Sequence, residues 1–215
     1  MREGSVPQFD ARHLELEMLD PNSAHLVRLF RHAGGDWEPP ATTFRNLRVD
    51  PPDGHKSEFA VLYTGNSIAA VAMECRVLFA DLRDRYMWVT DLAAQYQVVR
   101  YSFGRPAIFV PLDGRNRRTL GLDGNKWPLG TYEPYQRVSL ALFQRFGAAI
   151  HGLSWESFHR NQLGRVYAIW HDRKGAIELK ISSPKPYPSL ADDPDWKAFL
   201  SRNPTLQPLG AATDD

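Results

Sequence analysis

The chain has 215 residues, which is the size of one large domain, because globular domains average roughly 150 residues. A formal net charge of +1, 43% hydrophobic residues and 24% charged residues exclude a polyanion binder, a disordered chain and a coiled coil. Arginine outnumbers lysine by 20 to 6, which favours binding of anionic groups, although a high-GC genome produces the same excess.

Cysteine content and hydropathy bear on the location of the protein. The single cysteine, Cys75, excludes an intramolecular disulfide and favours a reducing compartment. The N-terminal residues have no apolar run typical of a signal peptide, and no segment approaches the ~20 apolar residues of a membrane span. The sequence therefore predicts a soluble cytoplasmic protein.

Apolar periodicity and the positions of Gly and Pro predict short strands, loops and helices. In chain order they are an N-terminal arm or short helix over residues 1–21, a strand over 26–31, a long loop over 34–56, a strand over 59–63, a helix from Ser67 to about Phe79, and strands over 86–89 and 107–110. Next come a loop over 113–130, a helix over 135–146, strands over 150–157 and 166–171, a strand over 176–181 that completes a hairpin with 166–171, and a surface tail over 183–215 with one short helical stretch at 195–200. We expect one domain with its core over about 22–182.

Common catalytic motifs are missing from the sequence. It has no Walker A motif, no Gly-x-Gly-x-x-Gly, no His-Glu-x-x-His and no Gly-x-Ser-x-Gly. Its seven histidines lack the clustered spacing of metal ligands, so no metal site is expected. The usual nucleotide-fold and hydrolase classes are thereby excluded.

Four polar residues stand within or beside apolar segments and are candidate site residues, because a polar group is costly to bury without a partner. They are Arg28, Tyr63, Glu74 after the apolar run 68–73, and Ser157. Each has a competing structural interpretation. Arg28 could pair with a surface carboxylate, and Tyr63 could be a half-buried strand aromatic. Glu74 could lie on the polar face of a helix, and Ser157 could lie in a turn.

The other conspicuous side chains are interpreted as structural. They are the solvated loop arginines Arg115, Arg117 and Arg118, the small core residue Cys75, and the core tryptophans Trp127, Trp155 and Trp170.

Five stretches, taken in order, resemble the RES domain family, which is named for an Arg, a Glu and a Ser. They are Leu26–Arg31, Arg48–Pro52, Phe59–Tyr63 followed by Ala69–Glu74, and Gly152–Ser157. The resemblance covers roughly residues 24–171. It departs from the family at Val49, where an aromatic residue is usual.

The resemblance implies an α+β fold with an ADP-ribosyltransferase-like (diphtheria-toxin-type) core of antiparallel strands and flanking helices. It also implies an NAD+-degrading toxin of a toxin–antitoxin pair. The family motif falls on Arg28, Tyr63 and Glu74 as catalytic residues, and on Arg48 and Ser157 as substrate-binding residues. Arg31 and Arg45 are further candidates for substrate binding.

This assignment agrees with the chemistry of NAD+. Cleavage of the nicotinamide–ribose bond develops positive charge on the ribose, which the Glu74 carboxylate would stabilise. The Tyr63 ring would stack on nicotinamide, and Arg28 and Arg48 would bind the pyrophosphate. The contact of Ser157 stays open between ribose, phosphate and carboxamide.

Three functions remain open at this point. The first is an NAD+ glycohydrolase or phosphorylase, with NAD+ as substrate, phosphate as a conceivable co-substrate and no separate cofactor. The second is transfer of ADP-ribose to a protein or nucleotide acceptor, and the third is a non-enzymatic Arg-rich binding module. The resemblance implies an Xre-like helix-turn-helix antitoxin as partner, with no membrane and no direct nucleic-acid binding, and leaves homodimerisation open.

Overall fold

A computed structural model of the chain describes residues 10–80, 85–123, 131–157 and 164–210. The strands are β1 (Glu17–Leu19), β2 (Leu26–Phe30), β3 (Val61–Gly65), β4 (Leu78–Ala80), β5 (Tyr86–Val89), β6 (Gln97–Ser102), β7 (Ala107–Pro111), β8 (Gly152–Glu156), β9 (Arg165–Trp170), β10 (Lys180–Ile181) and β11 (Gln207–Leu209). The α-helices are α1 (Ile68–Glu74), α2 (Thr90–Gln95), α3 (Gly114–Thr119), α4 (Glu133–Phe146) and α5 (Pro194–Arg202).

The strands form two sheets. Eight strands follow the order β1-β7-β8-β9-β3-β2-β6-β10, and β7 with β8 is the one parallel pair among these described strands. The second sheet has the order β11-β5-β4, with β11 parallel to β5. The predicted α+β class with a largely antiparallel sheet and flanking helices is confirmed.

The large sheet opens between two neighbouring inner strands, β2 and β3. These neighbours are paired at one position, Val27 opposite Gly65, whereas β2 pairs with β6 and β3 pairs with β9 along their whole lengths. Gly65 also permits a close approach of α1, because a Cβ at this position would lie 2.8 Å from Val71 Cγ1. Beyond this point the two strands diverge, which leaves a gap in the sheet.

Apolar side chains form three core clusters around the large sheet. Strand register places two of them on one face: one packs β3, β8 and β9 against α4, and the other packs β2 and β6 against α1 and α5. The third cluster, which includes Leu26, Phe30 and Phe109, covers the opposite face. The gap between β2 and β3 thus lies between two separately packed halves.

Helix α1 is shorter than predicted. The Ser67 hydroxyl caps its N-terminus by accepting a hydrogen bond from the amide of Ala70 at 3.1 Å. The helix ends at Glu74 because Arg76 takes a left-handed conformation with φ of 57°. The prediction of a helix to Phe79 is wrong, and 78–80 forms β4.

The segment expected as an arm joins the sheet, and part of the predicted 113–130 loop is helical. β1 pairs with β7, and α3 spans 114–119. The fully buried Asn116 of α3 connects these two segments. Its side chain forms two hydrogen bonds of 2.8 Å with the backbone of Glu15. A single buried amide therefore fastens the arm to α3.

The C-terminal third was also partly mispredicted. β10 pairs with β6 rather than forming a hairpin with β9, and β6 was not predicted at all. The expected surface tail contains α5, whose Trp196 is fully buried, and β11, which pairs with β5. The predicted core position of Trp127 lies outside the described residues.

Candidate active site

A cavity of about 700 Å³ lies at the gap between β2 and β3. That volume is typical of pockets for small molecules and nucleotides. Five of the seven candidate residues line it: Arg28, Arg31, Arg48, Tyr63 and Glu74. Residues far apart in sequence are therefore brought to one cavity.

Glu74 and Ser157 are in direct contact. Glu74 is the last residue of α1 and is half-buried, and its Oε1 accepts a hydrogen bond from Ser157 Oγ at 3.3 Å. Ser157 follows β8 and is only 4% exposed, with its own amide donating to the carbonyl of Gly164 at 3.0 Å. Glu74 thus lies in the cavity wall with its carboxylate oriented by a serine.

Arg28 spans the gap in the sheet. Its Nε donates to the carbonyl of Gly35 and its Nη1 to the carbonyl of Tyr63, both at 2.9 Å. These partners replace the surface carboxylate that the sequence allowed. Arg28 therefore has a structural role at the cavity, holding the backbones of β3 and of the loop after β2 in place.

Arg48 is enclosed by aromatic rings. It is 7% exposed, and its guanidinium carbon lies 5.2 Å from the ring centroid of Trp155, 5.9 Å from Tyr135 and 6.0 Å from Tyr132. Burial lowers the pKa of Arg48, and the negative charge of Glu74 opposes this shift. Arginine stays protonated in proteins, so a buried positive charge stands on the Glu74 side of the cavity.

The Tyr63 hydroxyl is fully engaged with protein groups. It donates to Asp50 Oδ1 at 3.1 Å and accepts from the amide of Val49 at 3.3 Å. Burial raises the pKa of Tyr63 well above its usual value. The ring of Tyr63 is therefore what this residue can offer to a ligand, not an exchangeable proton.

Sequence reasoning missed Asp50 as a site residue. This carboxylate is 1% exposed, lines the cavity, and has a pKa raised by burial. The available signal was an acidic residue between Val49 and Pro51, within a segment of the family resemblance.

The two further arginine candidates have different surroundings. Arg31 is exposed at the cavity rim, with its guanidinium 5.5 Å from the ring centroid of Tyr96. Arg45 donates to the carbonyls of Pro40, Lys56 and Phe59 at 2.7–3.0 Å and is not among the residues that line the cavity. Arg45 organises the long loop that carries Arg48.

Two other kinds of feature, metal-binding clusters and membrane-spanning helices, also bear on function. Within residues 10–80, 85–123, 131–157 and 164–210, no group of three or more His, Cys, Asp or Glu side chains has a metal-binding arrangement. In the same part of the chain, no helix is long and apolar enough to cross a membrane.

Comparison with known proteins identifies the family. The model of the RES domain matches residues 25–193. The chain belongs to the RES domain family. The match extends beyond the stretch of roughly 24–171 that carried the resemblance in sequence, and it includes β10 and the 3-10 helix before α5.

A solved structure is similar to this RES-domain chain. It is one chain of the crystal structure of the M. tuberculosis MbcT–MbcA toxin–antitoxin complex, with 16% sequence identity and a TM-score of 0.50. The similarity covers 74% of this chain and 81% of that chain. The two chains therefore share a fold. No curated protein matches the sequence.

Proposed function

We propose that this RES-domain protein cleaves the nicotinamide–ribose bond of NAD+ in the cavity between β2 and β3. One observation carries the proposal: a carboxylate, an aromatic ring and guanidinium groups line a single cavity of about 700 Å³. A dinucleotide with a cationic ring and an anionic pyrophosphate matches that combination of groups.

Glu74 would stabilise the transition state. As the C–N bond breaks, its electron pair leaves with nicotinamide and positive charge develops on the ribose. A carboxylate fixed beside the sugar lowers the energy of that charge, and the Ser157 hydrogen bond holds Glu74 in one orientation. Nicotinamide departs as a neutral molecule, so no general acid is needed.

Tyr63 would hold the nicotinamide ring. Its hydroxyl is bonded to Asp50 and to Val49, and its high pKa excludes a role as base at neutral pH. The aromatic face remains to stack on the departing ring and orient it.

Guanidinium groups would bind the pyrophosphate. Arg48 supplies a buried positive charge, Arg28 has an Nη2 group beyond its two backbone bonds, and Arg31 stands at the rim. Arg45 is not part of this proposal, because it does not line the cavity and its Nε and Nη1 donate to backbone carbonyls. Water or phosphate would then add its oxygen to the ribose C1′ and lose a proton to solvent.

We further propose that the protein is the toxin of a toxin–antitoxin pair and acts in the cytoplasm. The support is the family together with the similarity to a chain of a toxin–antitoxin complex. The antitoxin would be an Xre-like helix-turn-helix protein. We expect a neighbouring gene to encode it, and its co-expression to relieve growth arrest.

The decisive experiment is to measure nicotinamide release by the purified protein with and without phosphate. We expect release by the wild type, loss of at least about 100-fold in Glu74→Gln, and no change in Glu133→Gln, an exposed carboxylate on α4. Phosphate dependence would distinguish phosphorolysis from hydrolysis. Absence of release from a folded preparation, with every acceptor tested, would contradict the proposal.

Transfer to a macromolecule is decided by the same preparation. A transferase would release nicotinamide only when a protein or nucleotide acceptor is added, and the acceptor would gain the mass of ADP-ribose. Growth arrest on expression of the wild type, and not of Glu74→Gln, would connect the activity to toxicity.

A further inference from the structure

Asp50 joins two parts of the cavity wall through its two carboxylate oxygens. Oδ1 accepts from the Tyr63 hydroxyl at 3.1 Å, and Oδ2 accepts from the amide of Leu47 at 2.7 Å. The first partner lies on β3, and the second begins the turn at 47–50 that carries Arg48. One buried side chain therefore connects the proposed ring-binding residue to the proposed phosphate-binding residue.

Side chains of helix α4 also form hydrogen bonds with this turn. Gln136 Nε2 donates to the carbonyl of Leu47 at 2.9 Å, and Ser139 Oγ donates to the carbonyl of Val49 at 2.7 Å. The backbone is thus bonded on both sides of Arg48. The side chain of Asp50 and the amide of Val49 both connect this turn to the Tyr63 hydroxyl on β3.

A carboxylate at this place is costly. Asp50 is 1% exposed, and burial of a charged group is unfavourable unless it is hydrogen-bonded. Both oxygens accept hydrogen bonds from protein donors. A buried acid that positions an aromatic ring and a cation at the same cavity is typical of residues that hold the functional side chains of a site in place.

We propose that Asp50 is a positioning residue, which sets Tyr63 and Arg48 relative to each other through its two hydrogen bonds. Its kinetic consequence rests on the proposed cleavage of NAD+. Asp50 is expected to act on the chemical step more than on binding, because a small displacement of a group that orients the reacting ring has a large effect on rate.

The test compares Asp50→Asn, Tyr63→Phe and the double variant. An Asn side chain has one oxygen and one NH2 group, so it accepts from Tyr63 or from Leu47 but not from both. Tyr63→Phe keeps the ring and removes the hydroxyl. Asp193→Asn is the matched control, because Asp193 is equally buried, caps α5, and lies outside the cavity.

We expect Asp50→Asn to lower kcat for nicotinamide release about tenfold or more while KM changes less than about threefold. Tyr63→Phe should have a similar effect. The kcat of the double variant should lie little below that of the less active single variant, since both changes disrupt the hydrogen bond between Tyr63 and Asp50. Asp193→Asn should keep the wild-type kcat. A kcat within about twofold of wild type in Asp50→Asn, or single effects that multiply, would overturn the proposal.

Amide hydrogen exchange separates this inference from the proposed function. The amides of Leu47 and Val49 donate to Asp50 and to the Tyr63 hydroxyl, so Asp50→Asn should speed the exchange of at least one of them about tenfold, whether or not NAD+ is a substrate. Asp193→Asn keeps an acceptor oxygen for the amides of Asp195 and Trp196 and should leave exchange at Leu47 and Val49 unchanged. Unchanged exchange at Leu47 and Val49 would refute the role of Asp50, whereas a wild type that releases no nicotinamide would refute only the proposed function.

Discussion

Arg28 donates a hydrogen bond of 2.9 Å to the backbone carbonyl of Tyr63 across the gap where β2 and β3 are no longer paired. In a continuous sheet, backbone amides of β2 would donate hydrogen bonds to the carbonyls of β3. Here a side chain does so, and the same guanidinium also bonds Gly35 on the loop after β2. The sheet can therefore open for a cavity while its two halves stay connected.

This connection predicts that Arg28 contributes to stability as well as to activity. Arg28→Ala removes two charge-assisted hydrogen bonds from partly buried carbonyls, so the free energy of unfolding should fall by about 2–3 kcal/mol. Urea unfolding measures this change. Arg118→Ala, at a side chain that is 90% exposed, should stay within about 0.5 kcal/mol of wild type. Equal stability of the two variants would contradict the bridging role.

Loss of the Ser157 contact with Glu74 should have a large effect on activity and a small effect on stability. Ser157→Ala removes the donor to Glu74, which leaves the carboxylate less firmly oriented, and nicotinamide release should fall about tenfold. The hydrogen bond is long at 3.3 Å, so the free energy of unfolding should fall by no more than about 1 kcal/mol.

A matched serine provides the control for Ser157. Ser154 is also buried and also donates to a glutamate, Glu17, at 2.6 Å, but the strand register places it on the other face of the sheet. Ser154→Ala should therefore keep the wild-type rate of nicotinamide release while losing stability. If both variants lose activity equally, orientation of Glu74 is not the cause.

Local patterns were sufficient for much of the secondary structure. The strand at 26–31 and the helix at 135–146 have clear apolar periodicity, and the structure places β2 and α4 there. Errors arose where distant residues decide the outcome. β10 pairs with β6, almost eighty residues earlier in the chain, and the predicted hairpin with β9 would have needed only neighbouring residues.

For the site residues, too, local sequence predicted some features and distant contacts decided the others. The family motif indicated Glu74 and Ser157, and their side chains are in contact. The motif fell on Arg48 and left Arg45, on the same loop, as a further candidate. Only the folded backbone shows that three carbonyls bind Arg45. Asp50 was missed for a related reason, since its partner Tyr63 belongs to the next strand.

His171 predicts a loss of stability at acidic pH. Its ring nitrogens are buried without hydrogen-bond partners among the described residues, and burial, with Lys174 and Arg28 nearby, lowers its pKa to about 3 from the usual 6.5. The unfolded chain binds a proton between these two values and the folded chain does not. The stabilising effect of a neutral His171 is thus complete above pH 6.5 and decreases as the pH falls towards 3.

Urea unfolding at pH 7 and at pH 5 checks this expectation. His171→Phe cannot be protonated, so it should lose about 1–2 kcal/mol less than wild type over this interval. His25→Gln, at an exposed position, should show the same pH dependence as wild type. A wild type and a His171→Phe variant with parallel pH curves would show that His171 takes up a proton in the folded protein as readily as in the unfolded chain.

Trp196 predicts that the C-terminal segment is required for the fold around Glu74. It is fully buried on α5, stacks on Phe199 with ring centroids 5.4 Å apart, and meets Trp88 edge-on at 5.8 Å. It belongs to the same core cluster as the apolar face of α1, the helix that ends at Glu74. Trp196→Ala should therefore lower the free energy of unfolding by about 3–5 kcal/mol, as expected for loss of a buried aromatic ring.

The control for Trp196 is its neighbour Lys197, whose side chain is 60% exposed, and Lys197→Ala should change stability by less than about 0.5 kcal/mol. Both are measured by urea unfolding of the whole chain. At a temperature where Trp196→Ala is still folded, its nicotinamide release should approach that of wild type, because Trp196 does not line the cavity. A loss below about 1 kcal/mol in Trp196→Ala would mean that α5 rests on the surface and that α1 is held by the sheet alone.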